Sequence, residues 1–205
     1  MKRILPLFSY VFHPLLNSVY ATLFYFVVTQ NFFYQHEIYL VFIQVLILTL
    51  LLPVSIYYLL SSLGLLKSKM QLDKKERRLP LACHAVLLFI LIKQSFSVLV
   101  IPELYYFFVG SLVSTMLALT LALFNYKASL HMIGVTLLTF FTISISIYYH
   151  MALLSLIAFF IVCIGFTASS RLDARAHTYN ELILGFLLGA LPQVGLWYIW
   201  LLPSM

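Results

Sequence analysis

Seven continuous apolar runs separated by short polar breaks set the pattern of this chain. They cover about residues 7–28, 38–60, 79–100, 104–124, 133–149, 152–167 and 182–202. Most approach the roughly 20 apolar residues that a helix needs to cross the hydrocarbon core of a bilayer. None shows the period-two alternation of a lipid-facing barrel strand, so the backbone must satisfy its own hydrogen bonds as helices. His13-Pro14 interrupts the first run, and proline removes a donor and crowds the preceding turn, so a kinked or only partly spanning segment is expected there. Val100-Ile101-Pro102-Glu103 and Tyr149-His150 leave room only for tight turns, which makes neighbouring helices antiparallel. The expectation is an all-α, polytopic transmembrane helical bundle of six or seven spans, forming a single integral membrane domain over residues 1–205.

Composition agrees. The chain is 63% hydrophobic and 9% charged, whereas soluble domains are about 25% charged. Met1-Lys2-Arg3 followed by an apolar run looks like a signal peptide. The run carries His13, Pro14 and Asn17 and has no small-residue cleavage site, so it is read as a retained first helix. Cys83 and Cys163 both fall in apolar runs and read as small buried side chains.

Charge is placed unevenly. If the helices alternate, one membrane face receives the N-terminus and the 65–78, 125–131 and 168–181 loops. These carry Lys2, Arg3, Lys67, Lys69, Lys74, Lys75, Arg77, Arg78, Lys127, Arg171 and Arg175, eleven of the twelve cations. The other face has Glu37 and Glu103, with Lys93 near it and expected to snorkel. The positive-inside rule puts the cationic loops in the cytoplasm, and a prokaryotic inner (plasma) membrane is the expected location.

The passage with the most chemistry runs from Ser169 to Gly189. Read as a helix from about Ala176, it sets His177, Glu181, Gly185 and Gly189 at successive i, i+4 steps on one face. A carboxylate one turn from an imidazole can accept the proton of one ring nitrogen and leave the other free to attack. Arg171 adds a permanent cation whose forked donors suit phosphate. Two further loops, Asp73 to Pro80 and Lys127 to His131, also open helices on the cationic face, where free backbone N–H groups favour an anion.

Ser170-Arg171, five residues, His177, three residues and Glu181 resemble the third signature of the type 2 phosphatidic acid phosphatase superfamily, S-R-x5-H-x3-D. Ala128-Ser129-Leu130-His131 is similar to that family's P-S-G-H, keeping the Ser and the His. The 69–80 stretch resembles its K-x6-R-P loosely, with no Lys at the required spacing from Arg77 or Arg78. The resemblance implies a metal-independent lipid phosphate phosphohydrolase that needs no cofactor and works through a phosphohistidine. It makes His177 the nucleophile, Glu181 its orienting acid in place of Asp, and His131 the general acid. Arg171, Ser129, Ser170 and one or more of Lys69, Lys74, Arg77 and Arg78 would hold the phosphate oxygens. Glu181 is one methylene longer than Asp, and Leu130 replaces a glycine that would lie close to phosphate.

The implied partners are membrane lipids and a phospholipid or polyprenyl phosphate or pyrophosphate substrate, with no nucleic acid. The rival expectation is a catalytically reduced or inactive homologue that binds or transports lipid phosphates. A membrane prenyltransferase ranks below both, because Asp73 and Asp173 are isolated rather than paired for metal. Plainer roles account for other residues. Gly185-x3-Gly189 reads as a close helix-packing surface, His13-Pro14 as a kink, and His36 and His150 as interfacial. The 67–78 cluster is by default a solvated loop that attracts anionic head groups. His84 lies near the cationic face and is a weak candidate for a supporting polar role.

Overall fold

The computed structural model describes residues 5–29, 32–65, 76–97 and 99–204. Among them are nine α-helices and no strand, arranged as an all-α bundle. Helices α1 (Leu5–Val11) and α2 (Pro14–Thr29) meet at 66°. The break falls at His13-Pro14 because Pro14, the first residue of α2, has no N–H to return to the turn before it. Helix α3 (Gln35–Leu46) continues through a wide π-helical turn, Ile47–Leu51, into α4 (Leu52–Ser62). That turn sits where Pro53 withholds its donor from the helical ladder.

Helices α5 (Arg78–Ser95), α6 (Pro102–Leu123), α7 (Leu130–Tyr148), α8 (Leu154–Asp173) and α9 (Tyr179–Trp200) complete the bundle. Six spans are long and apolar enough to cross a membrane, or seven if the bent α1–α2 pair counts as one.

Four helices end in one way. After α4, α6, α7 and α8 the chain turns left-handed at Gly64 (φ +72°), Asn125 (61°), His150 (53°) and Arg175 (49°). In each case the next N–H reaches five residues back, as in Tyr126 to the Leu121 carbonyl (2.8 Å) and Ala176 to the Arg171 carbonyl (3.1 Å). This double-bonded cap satisfies the last carbonyls of each helix.

Helix α7 is the most buried span and packs against α2, α6, α8 and α9. Its seam with α9 depends on two glycines. A Cβ at Gly185 would meet the Ser129 carbonyl at 2.6 Å, and one at Gly189 would meet the Ile133 carbonyl at 2.8 Å. The packing role expected of Gly185-x3-Gly189 is the one these two residues fill.

Pro192 lies inside α9 and cannot donate to the Leu188 carbonyl. The Ser114 hydroxyl of α6 reaches that carbonyl at 2.7 Å, so a neighbouring helix supplies the missing donor. At the end of the bundle away from most of the cations, buried Glu103 accepts hydrogen bonds from Tyr25 (3.0 Å) and Tyr149 (2.6 Å). This ties α2, α6 and α7 together. Lys93 stands in the last turn of α5, at that same end.

Candidate active site

The opposite end is built from the close of α8, the starts of α5, α7 and α9, and the α1–α2 corner. Helix α8 does not stop before Ser169, as a 168–181 loop would require. It runs through Ser170 and Arg171 to Asp173, and the left-handed Arg175 closes it. The connection to α9 therefore shrinks to a few residues. The helix expected from Ala176 begins instead at Tyr179, because Thr178 and Glu181 form a reciprocal cap. Thr178 Oγ1 accepts the Glu181 N–H (3.4 Å), and Glu181 Oε2 accepts the Thr178 N–H (3.2 Å).

His177 precedes the helix, yet its Nδ1 lies 2.8 Å from the same Glu181 Oε2. A carboxylate only accepts, so Nδ1 carries the proton and Nε2 keeps its lone pair. The extra methylene of Glu181 lets one oxygen serve both the cap and the imidazole. His177 is buried. Burial, and after it the nearby Lys127 and Arg77 cations, hold its pKa below the ordinary 6.5, against the opposing pull of Glu181. The ring is neutral at pH 7.

Helix α7 brings the second imidazole. Ser129 is its N-cap, fully buried, with Oγ accepting the Met132 N–H (3.5 Å) and its own N–H donating to the Glu181 carbonyl (3.1 Å). Ser129 thus holds the start of α7 onto the first turn of α9. His131 Nε2 lies 3.1 Å from the Ser9 carbonyl of α1. Carbonyls only accept, so Nε2 bears the proton in the neutral ring and Nδ1 is the nitrogen that can take a second one.

The cations divide by role. Arg171 Nη1 donates to Ser9 Oγ (3.5 Å), and Ser9 Oγ lies 2.7 Å from Ser170 Oγ. Arg171 Nε is buried with no acceptor among the described residues, an N–H that calls for an anion or a water. Arg77 donates to the Ala128 carbonyl (3.2 Å) and is half-buried; its partial burial, and after it Arg171, disfavours its charge, while Glu181 favours it. Arg78 is turned to another task. Its guanidinium donates to the carbonyls of Ala122 (3.1 Å) and Leu123 (3.3 Å) and to Asn125 Oδ1 (3.0 Å), closing the end of α6. Lys69 and Lys74 lie outside the described residues.

A cavity of about 470 Å³ opens among these groups. His177, His131, Arg171 and Arg77 all line it, and apolar residues of α2, α4, α5, α6 and α7 carry its walls toward the middle of the bundle. Glu181 acts on it through His177, and Ser170 only through Ser9, which accepts from Arg171; Glu181, Ser170, Arg78 and Ser129 do not line it. Among the described residues no group of three or more His, Cys, Asp and Glu side chains is placed to hold a metal.

The chain matches no family model, no curated protein and no solved structure.

Three residues outside the sequence motifs belong to this end. Ser9 joins His131, Ser170 and Arg171. Lys127 Nζ donates to the Ala176 carbonyl (2.9 Å) and pins the α8–α9 turn. His13 lines the cavity with its ring centroid 5.5 Å from that of His131. The charge on Lys127 was a visible signal, whereas the places of Ser9 and His13 follow from the packing of α1 on α8. The arrangement combines a neutral, oriented imidazole with a second imidazole and guanidinium donors around one space, groups whose chemistry suits binding an anion such as a phosphate.

Proposed function

We propose that the protein is a membrane-embedded phosphatase that hydrolyses a lipid phosphate or pyrophosphate through a phosphohistidine, as a member of the type 2 phosphatidic acid phosphatase superfamily. The observation that carries this reading is the 2.8 Å bond from His177 to Glu181 on a cavity shared with His131, Arg171 and Arg77. Arg171 and Arg77 hold the phosphate oxygens and neutralise charge as it spreads in the transition state. Nε2 of His177 attacks phosphorus while the bond to the leaving oxygen breaks. His131, with Nε2 fixed on Ser9, takes a second proton on Nδ1 when the phosphate anion binds beside it and gives that proton to the leaving oxygen, a transfer worth about 10²–10⁴-fold. His131 then takes a proton from water, and the resulting hydroxide displaces His177 from phosphorus and releases phosphate.

The apolar walls below the cations favour an amphiphile, with the head group at the cationic mouth and a chain among the helices. Of the six described Lys and Arg residues, Arg77, Arg78, Lys127, Arg171 and Arg175 lie at the site end and Lys93 at the other, so the positive-inside rule assigns the site to the cytoplasm.

The second reading, a lipid-phosphate binder without turnover, draws on the bond that engages His131 with Ser9. Phosphate release from a lipid panel in detergent with chelator present separates the two. Turnover by the wild type that falls by more than about 10³-fold in His177→Ala, and less in His131→Ala, supports the phosphatase. Release that persists unchanged in His177→Ala would end the phosphohistidine proposal. Lipid phosphates bound but never hydrolysed by the wild type would establish the binder.

A further inference from the structure

We infer that His13 is a substrate-binding residue, a hydrogen-bond donor to the phosphate held between Arg171 and the two imidazoles. The inference rests on the phosphate-site reading and extends it to the break between α1 and α2, which none of the motif-like stretches includes.

His13 precedes Pro14 at the start of α2, and its Nδ1 accepts the Leu15 N–H at 3.4 Å. That is the work of a helix N-cap, which Ser, Thr, Asp or Asn ordinarily does with a shorter side chain. Accepting at Nδ1 sets the neutral tautomer: the proton is on Nε2, at the far side of the ring. The ring is exposed, in contrast to the buried His177, and it lines the cavity. It stands edge-on to His131, with an interplanar angle of 83°.

The chain around His13 is fixed on both sides. Asn17 Nδ2 donates to the His13 carbonyl (3.1 Å), and Gly134 of α7 makes room for the Asn17 side chain, since a Cβ there would collide with Asn17 Nδ2. On the other side Phe8 stacks on Phe166 of α8 with centroids 4.7 Å apart, and Ser9 bonds to Ser170, Arg171 and His131. A ring carried on a stretch of chain fixed on both sides, lining the cavity and bearing its proton on Nε2, is equipped to donate to an anion beside Arg171.

The test reads anion binding and turnover separately. Orthovanadate and inorganic phosphate are titrated into the purified full-length protein by calorimetry, and KM and kcat are measured for a lipid phosphate in detergent. In His13→Phe both anions should bind about 10-fold more weakly, the factor that one hydrogen bond to a charged oxygen is worth. KM should rise by a similar factor, with a smaller change in kcat. His13→Gln keeps a donor with reach and should recover most of the affinity. His13→Asn keeps the cap but not the reach and should stay weak.

Full recovery in His13→Asn, or wild-type affinity in a folded His13→Phe protein, would overturn the inference and reduce His13 to a cap. Weakened anion binding in His13→Phe together with no turnover by the wild type would leave the inference standing and remove the phosphatase.

Discussion

Gly185→Ala tests how the site is assembled, because one methyl group there acts on the helix that carries His131. The new Cβ would lie 2.6 Å from the Ser129 carbonyl oxygen, 2.9 Å from Met132 Cβ and 3.2 Å from the Ser129 nitrogen, where ordinary contact begins at 3.4 Å. Two of those atoms are backbone, so no side chain can swing aside. Relief requires the start of α7 to move from α9 by roughly 0.8 Å, the shortfall at the carbonyl.

Overpacking of this kind destabilises by about 1–3 kcal/mol. The better helix propensity of alanine returns about 1 kcal/mol. The net loss should be up to about 2 kcal/mol, read as a lower melting temperature in detergent. The same movement strains the Ser129 N–H bond to the Glu181 carbonyl (3.1 Å) and displaces His131 from His177. Misplacement by about 1 Å lowers turnover on the order of 10²-fold. Phosphate release should therefore fall far more than the melting shift alone would explain. Gly195→Ala is the control: its Cβ would meet nothing within 4 Å, and the variant should melt at or above the wild-type temperature. A Gly185→Ala protein as stable and as active as wild type would refute the claim that this contact sets the position of α7.

Four other perturbations separate structural from chemical roles. Ser114→Ala leaves the Leu188 carbonyl beside Pro192 without its cross-helix donor and should destabilise by about 1–2 kcal/mol, measured by thermal melting, with KM unchanged. Arg78→Met should lower stability through the freed end of α6 without weakening vanadate binding; a large loss of vanadate affinity would return Arg78 to the phosphate site. Because the His177 pKa lies below 6.5, the proposed nucleophile stays neutral as pH falls past 6.5, and the acid limb of kcat/KM should lie below that value. The same shift contributes stability that is complete above pH 6.5 and is lost as pH falls through the lowered pKa. Lys127→Met removes one of the cations that lower it and should move the acid limb upward.

Much of the bundle was legible because apolar runs of bilayer length leave few alternatives. The break at Pro14 and the close packing at Gly185 and Gly189 followed from what those residues lack. The ends of α8 and α9 were harder to read. Ser169 to Arg171 are polar enough to suggest a loop, but a helix carries them because Arg171 finds Ser9 beside its last turn. The turn after α8 uses Arg175 in a left-handed conformation where glycine is the usual signal. The reciprocal cap of Thr178 and Glu181 was present in the letters, and it starts α9 three residues later than the i, i+4 reading from Ala176.

Pairing of His177 with Glu181 was visible in their spacing, since both the helical and the capped geometry bring positions four apart together. Ser9 and His13 were not, because only the fold of α1 against α8 places them beside His131 and Arg171. The role of Arg78 was hidden for the same reason: nothing near it in the chain announces the end of α6, which lies 44 residues away at Ala122.

The central claim is that His177 becomes covalently phosphorylated. Lipid phosphate labelled with radioactive phosphorus, mixed with the purified protein and quenched in alkali within milliseconds, tests it directly. The account predicts a protein-bound label that survives base, is lost in mild acid, maps to the peptide containing His177 and is missing from His177→Ala. Turnover of the same lipid with no label on that peptide, or with label retained in His177→Ala, would contradict it.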